Sequence, residues 1–178
     1  MRLLNNKKGK CIKVFGILKV GGKVKIVDLI LSVFIALAVG GLSGFLGMSN
    51  MKDYETFTKP IFAPPAWVFP IVWTVLYILM GLAAYRICQQ GKAGKDTKKA
   101  LVLYGIQLFL NFLWTIIFFR FRLYGLAFVE LLLLLVFIML TTFEFFKIDK
   151  IAGWLMIPYI LWVSFAGVLN FAIWFLNS

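Results

Sequence analysis

Five long apolar segments follow one another along the chain, and short polar stretches separate them. They run from about Ile26 to Met48, Pro65 to Ile87, Ala100 to Phe119, Tyr124 to Phe146 and Ile151 to Leu176. Each is long enough to cross a bilayer core, which takes about 20 residues of α-helix. The pattern therefore predicts an all-α integral membrane protein. Residues 26–178 are expected to form a bundle of five transmembrane helices behind a basic tail, residues 1–25.

Composition and charge sharpen this prediction. Of the 178 residues, 62% are hydrophobic, more than soluble domains carry, so a soluble or nucleic-acid-binding protein is excluded and membrane lipid is the expected partner. Eight of the 19 Lys and Arg residues lie in the first 25 positions. That tail either binds anionic groups or keeps the N-terminus in the cytoplasm, and the positive-inside rule favours the second interpretation.

The basic residues also predict an orientation. The tail and the connections at 86–99 and 147–150 hold 15 Lys and Arg, whereas the connections on the other side and the C-terminus hold four. With five spans, these two sets fall on opposite sides of the membrane. We therefore expect a bacterial cell-membrane protein with its N-terminus in the cytoplasm and its C-terminus outside.

Several kinds of chemistry are excluded by what the chain lacks. It has no histidine, so histidine-based general base catalysis and histidine ligation of metal or haem are ruled out. Its two cysteines, Cys11 and Cys88, are too far apart in sequence to indicate a metal site or a disulfide framework. We expect no metal site and no obligatory cofactor.

Aromatic and amide side chains recur at helical spacing in three of the predicted spans. These stripes are Trp73 and Tyr77 in the second span, Gln107, Asn111, Trp114 and Phe118 in the third, and Trp162, Ala166, Leu169 and Asn170 in the fifth. They are typical of helix packing or, for other tryptophans, of an interfacial belt. Their convergence also favours a flat intramembrane slot for a planar apolar ligand.

Two further features allow more than one interpretation. The first span carries Gly40, Gly41, Gly44 and Gly47, and such small residues serve either packing within the bundle or a homodimer seam. Glu130 is the one acidic residue well inside a span. It is a functional candidate by default, but it could also reach the interface or meet Arg120 or Arg122.

The amino-acid sequences of three segments resemble those of the TspO/MBR family of tryptophan-rich sensory proteins and translocator proteins. The matching segments are KPIFAPPAWVFPIVWTVLYILMG at 59–81, LNFLWTIIFF at 110–119 and WLMIPYILWVSFAGVLNFAIW at 154–174. The resemblance covers about residues 30–176. It implies a five-helix bundle, often dimeric, with a ligand cavity beneath the first loop.

The resemblance also implies ligands and a set of site residues. Members of the family bind tetrapyrroles, so protoporphyrin IX or haem is the expected ligand, together with benzodiazepine-type drugs. The implied cavity residues are Tyr54, Pro64, Trp73, Tyr77, Asn111, Trp114, Phe118, Trp162, Ala166 and Leu169. Phe62 stands where the family's lid often has tryptophan, and Phe171 replaces the tyrosine of the sterol motif. Sterol recognition is therefore not expected.

Three functions remain open at this stage. The first is a membrane receptor or sensor that binds tetrapyrroles and transports or sequesters them. The second, implied by the resemblance, is an enzyme that degrades porphyrin in light, with Trp73 and Trp162 as the candidate catalytic residues. The third is a structural or interaction protein whose pocket is vestigial.

Overall fold

Five helices make up the part of the chain that the computed structural model describes, residues 25–47 and 58–177. Their bounds are α1 Ile26–Gly47, α2 Val68–Lys92, α3 Lys98–Thr115, α4 Tyr124–Ile148 and α5 Lys150–Asn177. All five are long and apolar enough to cross a membrane, counting the π-helical turn Ile116–Arg120 as the end of the third. The predicted five-span, all-α fold is confirmed.

The helices form a closed ring in the order α1, α2, α5, α4, α3, because α3 packs back against α1. Large apolar side chains such as Phe34, Phe109, Phe143 and Leu161 are exposed on the outside of this ring. Such a surface is stable only against lipid, because water would not solvate it. The buried side chains of α2 to α5 form the core of the bundle.

The third span changes its helical geometry before it ends. After Thr115 the backbone bonds run from residue i+5 to residue i, and the Phe121 N–H donates to the Ile116 carbonyl at 3.1 Å. A π-turn takes more residues per turn than an α-helix, so it rotates the following side chains out of the α-helical phase. Phe118, four residues after Trp114 in the predicted stripe, lies within this turn and still stacks on Trp114 at 5.2 Å.

The lid residues 58–67, which precede α2, are fixed to α5 at two points. The Asn177 side chain accepts a hydrogen bond from the Thr58 N–H at 3.1 Å and donates one to the Thr58 carbonyl at 3.0 Å. The Phe62 ring meets Phe165 edge-on, with the centroids 6.4 Å apart. Phe62 thus provides an aromatic contact at the position where the family resemblance leads one to expect tryptophan.

A buried ion pair joins the opposite end of the bundle. Arg86 of α2 donates to both oxygens of Asp149, at 3.1 and 2.7 Å, and Gln90 adds a bond of 3.1 Å. Asp149 also accepts the backbone N–H groups of Ile151 and Ala152 and so caps α5. Burial opposes the charged carboxylate, but these hydrogen bonds outweigh it and lower the pKa of Asp149.

We expect Asp149→Asn to destabilise the protein by about 3 kcal/mol, because it leaves Arg86 buried without its counter-charge. The measurement is thermal unfolding in detergent micelles. The matched control is Glu144→Gln, which breaks a pair with the exposed Lys99 and Lys147 and should cost at most about 1 kcal/mol. Equal losses for the two variants would contradict the prediction.

The same pair sets an expected pH dependence. Folding lowers the pKa of Asp149. The ion pair therefore contributes its full stabilising free energy above the pKa of a free aspartate, about 3.9, and this contribution is lost as the pH falls below that value. The difference in stability between the native protein and Asp149→Asn should therefore shrink in acid.

Candidate functional site

Three aromatic rings of α2 and α3 form a wall inside the bundle, and a fourth ring, Phe118 of the π-turn, packs on Trp114. Trp73 lies 5.8 Å from Tyr77 and 6.5 Å from Trp114, measured between ring centroids, with interplanar angles of 32° and 34°. Phe118 stacks on Trp114 at 5.2 Å and 28°. Neighbouring rings are inclined to one another by 28–34°, and Trp73, Tyr77 and Trp114 all face the same cavity.

Asn111 connects three helices directly behind this wall. Its Oδ1 accepts a hydrogen bond from the Tyr77 hydroxyl of α2, and its Nδ2 donates to the Tyr159 hydroxyl of α5 at 2.8 Å. All three side chains are buried. Since an amide must find partners in an apolar interior, this pair of bonds fixes the rotamer of Asn111 and the position of the Tyr77 ring.

A second amide fixes the other tryptophan of the wall. The Trp114 indole N–H donates to Asn170 Oδ1 at 3.2 Å, and Asn170 Nδ2 donates to the Tyr124 carbonyl at 2.9 Å. Trp114 is thus tied to both α4 and α5, so its ring has a fixed orientation toward α1.

The glycine face of α1 lies opposite the aromatic wall. A Cβ atom on Gly40 would overlap the Tyr77 ring, whereas one on Gly41 or Gly44 would meet no atom within 4 Å. The space left by these missing side chains is a cavity of about 590 Å³. That volume is in the range of small-molecule sites, about 300–1,000 Å³.

The cavity is bounded by α1, α2, α3 and the start of the π-turn. Its lining consists of Leu37, Gly40, Gly41, Ser43, Gly44, Phe45, Phe69, Pro70, Trp73, Thr74, Tyr77, Asn111, Trp114, Thr115 and Phe119. None of these is charged. The hydroxyls of Ser43, Thr74 and Thr115 all donate to backbone carbonyls of their own or a neighbouring helix. A ligand would therefore meet a mostly apolar surface.

Asn111 is the polar exception in this lining. An amide has two N–H donors and two acceptor lone pairs, and the bonds to Tyr77 and Tyr159 use one of each. One donor and one acceptor remain for a ligand. The cavity therefore combines an aromatic face with a single amide contact, a combination that suits a mainly apolar aromatic molecule.

Of the residues predicted to line a cavity, Trp73, Tyr77, Asn111 and Trp114 come together here. Phe118 does not line this cavity. It stacks on Trp114 at 5.2 Å and contacts Tyr124 at 5.2 Å, whereas Phe119, which was not among the predicted residues, belongs to the lining.

The remaining predicted residues lie elsewhere. Trp162 packs against Phe69 at 5.9 Å and against Phe165, while Ala166 and Leu169 are buried in the core of α5. Pro64 belongs to the lid and is not part of the lining described above. Tyr54 falls outside the described residues.

The contribution of α1 was not predicted. The sequence analysis predicted that its glycines serve helix packing or a homodimer seam. One of them does serve packing within the bundle, because a Cβ on Gly47 would collide with Thr115 of α3. Gly41 and Gly44, however, form a wall of the cavity. The glycines of α1, at helical spacing, were the only hint of this in the sequence. The cavity exists because α1 packs opposite Trp73, and the sequence pattern does not show that packing.

Comparison with known proteins gives a consistent result. The sequence profile of the TspO/MBR family matches residues 32–175. The chain is 40% identical to the tryptophan-rich protein TspO of Chlorobaculum tepidum over 154 residues, which is 86% of this chain and 98% of that protein.

Two further relatives come from distant organisms. Protein CrtK of Rhodobacter capsulatus is 35% identical over 144 residues, 81% of this chain and 89% of its own length. The human translocator protein is 36% identical over 135 residues, 74% of this chain and 79% of its own length. In each case the similarity extends over most of both chains.

We expect Gly40→Ala to destabilise the protein by about 1–3 kcal/mol, because the new methyl group would displace the Tyr77 ring and its bond to Asn111. Gly41→Ala is the matched control on the same helix. Its methyl group meets open space and removes backbone freedom, so stability should stay equal or rise slightly. Thermal unfolding in micelles gives both values, and a larger loss for Gly41→Ala would contradict this account.

Proposed function

This chain belongs to the TspO/MBR family, and we propose that it is a membrane receptor or sensor that binds tetrapyrroles and similar planar apolar ligands between α1 and the aromatic wall. The single observation that supports this most strongly is the cavity itself. The glycine face of α1 and the tilted rings of the aromatic wall border it, and Asn111 offers one polar contact.

The aromatic wall of the cavity suits the flat macrocycle of a tetrapyrrole. A macrocycle stacked on Trp73 and Trp114 would gain dispersion and quadrupole interactions over a large flat area, and the absence of side chains at Gly41 and Gly44 leaves room for its second face. Charged ring substituents would have to lie outside the uncharged lining. We propose that they point toward the lid, where Lys59 is located and where Lys52, outside the described residues, is close in sequence.

We retain the predicted topology as part of this proposal. Most described lysines outside the helix interiors, including Lys92, Lys95, Lys99 and Lys147, lie at the end of the bundle opposite the lid. By the positive-inside rule that end faces the cytoplasm. The lid end of the cavity would then face outward, and ligand would arrive from that side or from the lipid.

Titration with protoporphyrin IX tests the proposal. Tryptophan fluorescence of the purified protein should show saturable quenching, because Trp73 and Trp114 border the site. Gly44→Leu should weaken binding about tenfold or more by filling the cavity, a cost of about 1.4 kcal/mol or above. Gly105→Leu is the control, because Gly105 is an exposed helical glycine that also has open space around its Cβ.

The outcomes separate the candidate functions. Quenching that does not saturate would support a structural or interaction protein and overturn the proposal. Equal loss in both glycine variants would show that binding does not use this cavity. Because the chain has no histidine, we also expect haem and metal-free protoporphyrin to bind with similar affinity, and a strong preference for haem would count against the stacking mode.

Light-dependent degradation of porphyrin is the second candidate function, and one observation favours it. Trp73 borders the cavity and has Trp114 as an aromatic neighbour at 6.5 Å, so an indole could donate an electron to an excited ligand. Trp162 belongs to α5 and does not line the cavity, but it packs against Phe69, which does.

We expect that, if the protein degrades porphyrin, Trp73→Phe will slow the loss of porphyrin absorbance under illumination more than Trp162→Phe does. Binding of the ligand is measured in parallel, so that a loss of affinity is not mistaken for a loss of chemistry. Trp154→Phe is the control, because Trp154 is exposed on the outer surface. Unchanged degradation in both Trp73→Phe and Trp162→Phe would remove the enzymatic interpretation.

A further inference from the structure

Glu130 differs from every other acidic residue that the structure describes. Asp28, Glu144 and Asp149 each pair with a Lys or Arg, and Asp96 accepts a backbone N–H. Glu130 is only 7% exposed, and neither of its carboxyl oxygens has a hydrogen-bond partner among the described residues. It is an acidic group inside a membrane span with nothing to balance a negative charge.

The two simple explanations for Glu130 do not apply. A carboxylate that extends to the interface would be solvated there, but both oxygens of Glu130 are fully buried. A pair with Arg120 or Arg122 would place a guanidinium within hydrogen-bond distance, and no such contact to Glu130 exists in the described part of the chain. The side chain is held in the interior, where α4 packs against α3 and α5.

An unpaired carboxylate in this setting costs several kcal/mol, because the low dielectric neither solvates nor screens it. Binding of one proton to a carboxyl oxygen removes the charge and most of that cost. A neutral carboxyl group is also both a donor and an acceptor, so it can exchange hydrogen bonds with a neighbour as the bundle moves.

The described elements packed against Glu130 offer it no counter-charge. The next residue, Leu131, lies beside Gly167 of α5, which places Glu130 where α4 and α5 pack together. The basic groups nearest in the chain are Arg120 of the π-turn and Arg122, and neither hydrogen-bonds to the Glu130 carboxyl group. Among the titratable hydroxyls of the interior, Tyr77 and Tyr159 bond to Asn111 and not to Glu130.

We propose that Glu130 is an intramembrane proton-binding site. Its carboxyl group is buried in the bundle without a hydrogen-bond partner among the described residues, so the neutral acid is the form that the interior holds, and the proton is released only as the pH is raised. This proposal concerns the protein's own groups and does not require that the ligand be a tetrapyrrole.

Modification by a lipid-soluble carbodiimide, which reacts with protonated carboxyl groups in membranes, tests the proposal on protein reconstituted in liposomes. Mass spectrometry of peptides should show about tenfold more label at Glu130 than at Glu144 near neutral pH. Glu144 is the internal control, because it lies on the same helix but pairs with Lys99 and Lys147. Labelling of Glu130 should fall as the pH is raised.

A second readout covers the case in which labelling fails for steric reasons. The infrared spectrum should contain a protonated carboxyl C=O band that is absent in Glu130→Gln and unchanged in Glu144→Gln. Glu130→Gln should fold with unchanged stability, because it replaces a neutral group by a neutral one. Absence of both the label and the band would overturn the proton site.

Discussion

The hydrogen bonds of Asn111 are the interaction on which the rest of the interior depends. In lipid, helices gain little from hydrophobic association, so packing and a few polar bonds must define their positions. Asn111 joins α3 to α2 through Tyr77 and to α5 through Tyr159. These bonds fix how α2, α3 and α5 are rotated about their own axes relative to one another. The orientation of the aromatic wall follows from that rotation.

The cavity follows from this arrangement combined with the glycines of α1. Tyr77 is held upright by Asn111 and occupies the space that a side chain at Gly40 would need, so α1 approaches α2 closely at that level. One turn further along, Gly44 has no such neighbour, and the gap between the helices stays open. The cavity is thus formed by the close approach of α1 to α2 at Gly40 and the open space beside Gly44 on the same helix.

The polar groups of the bundle fall into two classes with different energetic roles. At one end, Arg86 and Asp149 satisfy each other and fasten α2 to the start of α5. In the interior, the Glu130 carboxyl group has no hydrogen-bond partner among the residues that the structure describes, and its charged form is costly there. The first class stabilises the fold, whereas the second provides a group that can respond to its surroundings.

Much of this protein was predictable from the sequence, because a bilayer imposes a strict length and composition on anything that crosses it. The five spans, the buried amides and the shared face of Trp73 and Tyr77 all follow from hydropathy and helical spacing. Only the tertiary structure decided which faces meet. Periodicity indicates that residues share a side of a helix, but it carries no information about the helix opposite or about the π-turn after Thr115, where Phe119 joins the cavity lining. For the same reason the glycines of α1 became a cavity wall, and Glu130 a carboxyl group without a hydrogen-bond partner among the described residues, only when five helices were packed together.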